Sequence, residues 1–273
     1  MRLSIITINW NNAAGLEKTM LSVASQTFKE FEYVIIDGAS TDNSVDIIKK
    51  NESNFTHLNW VSEPDNGIYN AINKGISKAS GDYIQILNSG DLLINDDIIE
   101  KMMAVLADYN YPELLYGNAV DVDGDKRLSS HGPGIKYSML LLYRATYPHD
   151  STFFKRELFS GDRYGLYDES LKIVSDWKWY LQAIGLGNVK PVYVDIDITL
   201  FDVHGISSTN KELDKKERRK VLEEVMPPAI LVDYDEYAFP IQQYERLRKH
   251  HLWKVVYFFE RVLFKFEKWH ILK

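Results

Sequence analysis

The sequence predicts an α/β fold, a mostly parallel sheet flanked by helices, and two observations carry that prediction. Over the first ~90 residues, apolar runs of strand length alternate with segments of helical periodicity. Each apolar run then ends in polar or turn-forming residues, as strands do where a sheet of this class holds its ligand.

Residues 3–10 form a continuous apolar run suited to a strand buried on both faces. Residues 15–25 carry Leu16, Met20, Leu21 and Ala24 at helical spacing. A second strand is expected over 32–38 and a helix over 42–50, with Thr41 or Asp42 able to cap it. A third strand (58–62), a third helix (67–78) and a fourth strand (82–87) follow, the last stopped by Asn88-Ser89-Gly90. Repeated units of this kind connect by right-handed crossovers. Beyond Asp91 the alternation weakens. We expect a helix at 96–107, a strand at 113–122, a turn at Asp123-Gly124-Asp125 and a loop at 131–134. A strand at 151–155, a helix at 174–183 and a β-branched strand at 192–203 come next. Two helical stretches, near 210–225 and 241–269, finish the chain on either side of Pro227-Pro228.

Composition narrows the function. At 273 residues, 45% apolar and 26% charged, the chain reads as an ordinary globular protein able to bury a core without staples. The absence of cysteine excludes a disulfide framework and a thiolate metal site, and suits a cytoplasmic setting. The N-terminal apolar run is too short for a secretion signal and lacks a cleavage site. No stretch reaches 18 uninterrupted apolar residues, so no membrane span is expected. A net charge of −7 argues against a nucleic-acid binder. That charge is uneven: residues 241–273 hold eight Lys/Arg against three Glu, a net +5, which leaves −12 on residues 1–240. A basic, aromatic tail on an acidic body points to a partner of its own. Either it lies peripherally on the inner face of a membrane, or it packs on the core or on a second copy in a homo-oligomer.

The polar strand ends are Asn9-Trp10-Asn11, Asp37-Gly38, Glu63-Pro64-Asp65 and Asn88-Ser89-Gly90-Asp91. Together they predict one ligand cleft. Neither GxGxxG after the first strand nor GxxxxGK[ST] is present, which removes the dinucleotide and P-loop readings.

At these residues the chain resembles the inverting family-2 glycosyltransferases of GT-A type, a Rossmann-like fold, particularly bacterial enzymes of capsule, exopolysaccharide or lipopolysaccharide synthesis. The resemblance spans about residues 3–207. It rests on SIITINWNN, LEKTMLSVASQTFKEFEYVIIDGASTDNS, SEPDNGIYNAINKGISKASGDYIQILNSGD, HDSTFFKRELF, YDESLKIVSDWKWYLQA and HGISS, in that order. It implies a catalytic domain at 1–207, with a nucleotide-sugar half (1–91) and an acceptor half (92–207), and a helical extension at 208–273. It also implies transfer from a nucleotide-diphosphate sugar, a UDP-sugar first, to a hydroxyl of a glycan or lipid-linked saccharide.

The resemblance assigns Thr7, Asn9, Asp37, Glu63, Asp65, Asn73, Lys74 and Asn88 to the nucleotide sugar. Asp37 then accepts a uracil N–H, or else caps the following helix; Lys74 is a ligand contact or a solvated charge. Asp91 is the surviving carboxylate of a metal motif that usually carries two or more, and a divalent cation, Mn or Mg, is implied there. His204 is a second candidate ligand, or a structural loop histidine. Asp176 is the candidate catalytic base, taking the acceptor's proton, or a carboxylate favoured at a helix N-terminus. His149 matches a family position near the acceptor cleft without an assigned role. Two other readings stand beside transfer: an inert nucleotide-sugar-binding scaffold, and a sugar nucleotidyltransferase. The latter wants a cationic loop after the first strand, where TINWNNAAG has no cation.

Overall fold

The computed structural model describes residues 2–124, 126–131, 138–205 and 210–249, with positions 253, 255, 257–259 and 261. The first part alternates as expected: β1 (Leu3–Asn9), α1 (Ala13–Ala24), β2 (Phe31–Asp37), α2 (Ser44–Asn51), β3 (Leu58–Ser62), α3 (Ile68–Lys78) and β4 (Tyr83–Ile86). Central β1 pairs in parallel with β2 and β4, and β3 adds in parallel at the edge beyond β2. Every residue of β1 and β2 is buried, as suits largely apolar strands at the centre of a sheet. The polar exceptions are satisfied internally. Ser4 Oγ donates to Glu32 Oε2 at 2.6 Å, and the Thr7 and Tyr33 hydroxyls meet at 3.0 Å.

The second part is mixed. It comprises β5 (Leu92–Leu93), α4 (Ile98–Asp108), β6 (Leu114–Asp123), β7 (Lys126–His131), α5 (Met139–Arg144), β8 (Thr152–Lys155), α6 (Ser175–Tyr180) and β9 (Val192–Asp202). The sheet order is β3-β2-β1-β4-β8-β6-β9-β5, with β7 against β6. Strand β8 runs antiparallel between β4 and β6, whereas β9 returns parallel to β6 with two register shifts. The short elements β5, β7 and α5 were not expected, because two to six residues are too few to display a period. The expected loop at 131–134 lies, beyond His131, outside the described residues, as do positions 206–208 of the HGISS block.

One face of the sheet is sealed by α1 (Leu16, Met20, Val23) and α4 (Ile99, Met102, Leu106) over Leu3, Ile5, Tyr33 and Tyr83. Near α6 the packing is aromatic. Trp179 stacks on Phe159 at 5.0 Å and meets Phe154 edge-on at 5.6 Å, while Tyr180 stacks on Phe154 at 5.8 Å. These rings fix the short helix that carries Asp176. It continues as a π-helical turn, Leu181–Leu186, in place of the plain helix expected to 183.

The chain divides into two compact units, Met1–Val221 and Leu222–Lys273. The first reaches past the boundary expected at 207, because helix α7 (Lys211–Val225) supplies it with Glu217 and Arg218. In the second unit, helix α8 (Pro228–Lys249) begins at Pro228, thirteen positions before the expected start at 241. Proline at a first helical position loses no internal hydrogen bond, so Pro227-Pro228 starts this helix as well as ending α7. Residues 262–273 of the expected helix lie outside the described residues. No helix among the described residues is long and apolar enough to cross a membrane.

Candidate active site

The ends of β1 and β2 are held together by one buried carboxylate. Asp37 accepts from Asn9 Nδ2 (2.8 Å), Ser40 Oγ (2.6 Å), Ser40 N (3.0 Å) and Ser62 Oγ (2.6 Å), and is fully buried. Those four donors fill its acceptor capacity. They also clamp the turn at Ala39, whose φ of 55° is a left-handed conformation alanine rarely adopts. Asp37 thus braces three strand ends, and its carboxylate oxygens are occupied by protein donors where a uracil N–H was expected.

Two further expected contacts are turned inward. Thr7 is buried and its hydroxyl pairs with Tyr33. Asn73, 4% exposed, donates to Tyr167 O (2.8 Å) and Glu169 Oε1 (2.9 Å) and accepts from Tyr167 N (2.9 Å). Three of the four hydrogen bonds its side chain can make pin the 167–169 loop. Asn9 differs: its Nδ2 serves Asp37, but its buried Oδ1 has no partner among the described residues.

Glu63, Asp65 and Lys74 come together at the end of β3. Lys74 Nζ lies 2.9 Å from Glu63 and 2.7 Å from Asp65. The hydrogen bond and charge of Lys74 hold the Glu63 carboxyl below its ordinary range. Beside them stands a residue sequence reasoning passed over. Trp10, at the end of β1, is 71% exposed. A Cβ at Gly38 would fall 2.9 Å from Asp65 Oδ2 and 3.3 Å from Trp10 Cδ1, so glycine lets these three form one wall. An indole so exposed at a polar strand end was the available signal.

The fourth strand ends in a turn locked by Thr19, whose Oγ1 donates to Asp91 O at 2.8 Å and accepts from Gly90 N at 2.9 Å. Asp91 is 4% exposed and one oxygen accepts from Asp202 N at 3.1 Å. Burial foremost, then the charges of Asp150 and Asp202, push its carboxyl up to about 8 against the opposing pull of the Asp202 N–H and His149. His204 does not join Asp91. It is largely exposed, its imidazole lies 3.1 Å from Asp123, and only its backbone N reaches Asp202. The neighbour of Asp91 from β9 is instead Asp202, whose carboxylate also flanks Gly90.

No group of three or more His, Cys, Asp or Glu converges as a metal cage among the described residues. Asp91 and Asp202 nevertheless fit a cation that takes its remaining ligands from phosphate oxygens and water. A buried carboxyl crowded by two others is the arrangement a divalent charge relieves.

Asp176 lies in the first turn of α6. Tyr69 OH on α3 reaches its Oδ1 at 2.8 Å and Ile173 O at 2.5 Å. His149 Nδ1 sits 3.6 Å from Oδ2, and His149 Nε2 lies 3.1 Å from the Asn88 amide. Burial lowers the His149 pKa, but Asp176 beside it and the charges of Asp150 and Asp91 overcome this and raise it to about 9. Conversely, burial raises the Asp176 pKa, and His149 with Tyr69 overcomes that and holds it below the ordinary value. At neutral pH the pair is therefore carboxylate and imidazolium. The Asn88 Oδ1 is buried without a partner among the described residues. Turning that amide over offers its oxygen to His149 Nε2–H, the acceptor an imidazolium needs there. His149 thereby joins Asp176 to the end of β4.

A parallel sheet half with a polar cleft at its strand ends, closed by an ionised carboxylate from a second half, defines a ligand-binding α/β enzyme. The comparisons say which kind. The chain belongs to the family described as Glycosyl transferase family 2, which matches residues 4–161. It is similar to an uncharacterized glycosyltransferase of Mycobacterium tuberculosis (strain ATCC 25618 / H37Rv), 32% identical over 210 residues, 76% of this chain and 77% of that one. It is a transferase of GT-A fold. Among solved structures it resembles S. aureus TarS in complex with UDP, with a TM-score of 0.59 and 20% identity, covering 74% of this chain and 61% of that one. It also resembles the mannosyltransferase PcManGT from Pyrobaculum calidifontis in complex with GDP-Man and Mn2+, with a TM-score of 0.57 and 18% identity, covering 80% and 60%.

Proposed function

We propose that this glycosyltransferase moves a sugar from a UDP-sugar to a hydroxyl of a glycan or lipid-linked saccharide, with inversion, in cell-surface polysaccharide synthesis. The observation that carries the reading is the His149 link. Asp176, ionised through that link, is a single side chain away from the strand end where a donor diphosphate would lie. Asp176 takes the acceptor proton as the acceptor oxygen bonds to the anomeric carbon and the bond from that carbon to the diphosphate breaks. One carboxylate suffices, because diphosphate leaves without a proton. The His149 imidazolium holds Asp176 ionised and adds positive charge beside the leaving group.

Trp10 offers a face for a base to stack on, with Asn9 Oδ1, Asp65 and Glu63 as polar neighbours. Uracil is favoured by the UDP in the TarS complex, while the GDP-Man of PcManGT marks the competing choice. Asp91 and Asp202 would hold a Mn or Mg ion, the metal named with PcManGT being Mn2+. Such an ion supplies charge neutralisation at the diphosphate. The tail is read as a peripheral membrane contact on the cytoplasmic face. Ile241, Tyr244, Leu247, Phe258 and Phe259 are exposed on a segment that also carries Arg246, Arg248 and Lys249.

Asp176→Asn tests the reading. It keeps the shape and removes the proton acceptor, so kcat falls by roughly 10²–10⁴ while UDP affinity measured by calorimetry holds. Transfer at the wild-type rate would assign the base elsewhere.

A further inference from the structure

Beyond the matched residues 4–161, helix α7 reaches back to the segment that leads into α6, the helix that carries Asp176. Glu217 is 8% exposed, and both its carboxylate oxygens accept backbone N–H groups: Lys172 N at 2.8 Å and Ile173 N at 2.9 Å. The carbonyl of that same Ile173 accepts from Tyr69 OH, the hydroxyl that also reaches Asp176 Oδ1. On the next residue, the Arg218 guanidinium lies 4.6 Å over the ring of Trp177, the neighbour of Asp176, while pairing with Asp214 at 3.1 Å. A bidentate carboxylate on two consecutive amides fixes both the position and the tilt of the peptide between them. The Ile173 carbonyl belongs to the next peptide, one φ/ψ pair from that anchored N–H, so its placement depends on the anchor.

We propose that Glu217 is a positioning residue for the catalytic carboxylate, acting through the Ile173 carbonyl and the Tyr69 hydroxyl on Asp176. This rests on the reading of Asp176 as the base. Tyr69 carries one proton for two acceptors, so the carbonyl and the carboxylate share it. Displacing the carbonyl changes how far that proton serves Asp176. Helix α7 then belongs to the catalytic machinery, and the geometry of the base is set from a segment some 40 residues after it. The other groups that act on Asp176 are His149, the Trp177 backbone N–H and, at longer range, the Tyr167 and Tyr180 hydroxyls. None of these touches Glu217 through a described hydrogen bond.

The test is a titration of the Asp176 carboxyl by ¹³C NMR in ligand-free, full-length protein with labelled aspartate, the signal assigned by its loss in D176N. In E217Q one amide loses its acceptor and the Asp176 midpoint moves up toward the ordinary carboxylate range. In a Y69F background the same substitution moves it no further. Turnover, followed as UDP release from whichever of UDP-glucose, UDP-galactose and UDP-N-acetylglucosamine the wild type uses fastest, falls roughly ten- to a hundredfold in kcat, as small misplacements of a reacting group do. UDP affinity is unchanged. An Asp176 midpoint identical to wild type in folded E217Q, or one that moves equally with and without the Tyr69 hydroxyl, would overturn the proposal. Should E217Q fail to fold, E217D keeps the charge, retracts it by one methylene, and is read by the same titration. Wild-type transfer by D176N would remove the base assignment while leaving the Glu217 linkage visible in the spectra, so the two failures are distinct.

Discussion

Replacing Asp37 by Asn separates two roles for the most heavily bonded carboxylate in the cleft. The carboxylate accepts four hydrogen bonds at 2.6–3.0 Å, from Asn9, from the Ser40 side chain and backbone, and from Ser62. An amide offers one oxygen with two lone pairs and turns an NH₂ toward the remaining donors. At least two of the four bonds are lost. Hydrogen bonds to a charged group contribute about 1.5–3 kcal/mol each, so the loss is about 3–6 kcal/mol. The serine hydroxyls can rotate to accept from the new NH₂, which favours the lower end. At about 2–4 °C per kcal/mol for a domain of this size, 3 kcal/mol lowers the melting temperature by roughly 6–12 °C. Thermal unfolding, paired with calorimetry of UDP, measures both quantities. UDP affinity should change little below the transition. A melting point within about 2 °C of wild type, a shift worth under ~1 kcal/mol, together with a large loss of UDP affinity, would refute the bracing role and restore Asp37 as a reader of the base.

Three further outcomes are expected. Trp10→Ala removes an exposed indole, so stability should hold while UDP binding weakens by about 1–3 kcal/mol, roughly 5- to 150-fold in Kd by calorimetry. Asp91, with its carboxyl raised to about 8, must release a proton to accept a cation. Mn²⁺ affinity in the presence of UDP should therefore climb with pH and level off above about 8, and Asp91→Asn should abolish that climb. For the tail, flotation with vesicles containing anionic lipid should carry the full chain and be weakened by salt; a chain ending at Pro240 should stay behind.

Much of this cleft was legible because strand ends announce themselves locally. The apolar runs, their polar stops and the order of the blocks located β1 to β4, α6 and β9 to within a few residues. What sequence could not convey is whether a polar side chain still has hydrogen-bonding capacity to offer. Asp37 and Asn73 have the right types at the right places, yet most of their bonds go to protein partners, from Ser40, three residues on, to Glu169, 96 residues away. The missed residues fail on distance instead. Asp202 meets Asp91 across 111 positions, where β9 runs antiparallel beside β5, and Glu217 meets Ile173 across 44. No local period encodes either contact.

The turn Asn88-Ser89-Gly90-Asp91 shows why a thinned motif need not be a dead one. Gly90 has φ of +110°, so an aspartate there would be strained whatever space surrounds it. Asn88 faces the His149 ring, where a carboxylate would add a fourth acidic group to Asp91, Asp150 and Asp176 around one imidazole. Burial already makes the ionised Asp91 costly, and more negative charge at 88 would raise that cost. The backbone of the turn rejects one missing carboxylate, and the surrounding electrostatics reject the other. Asp202 returns a carboxylate from β9, and His149 brings a cation from the loop before β8. A second carboxylate therefore stands beside Asp91 without the turn having to hold two aspartates, and the imidazolium offsets part of the acidic charge around them.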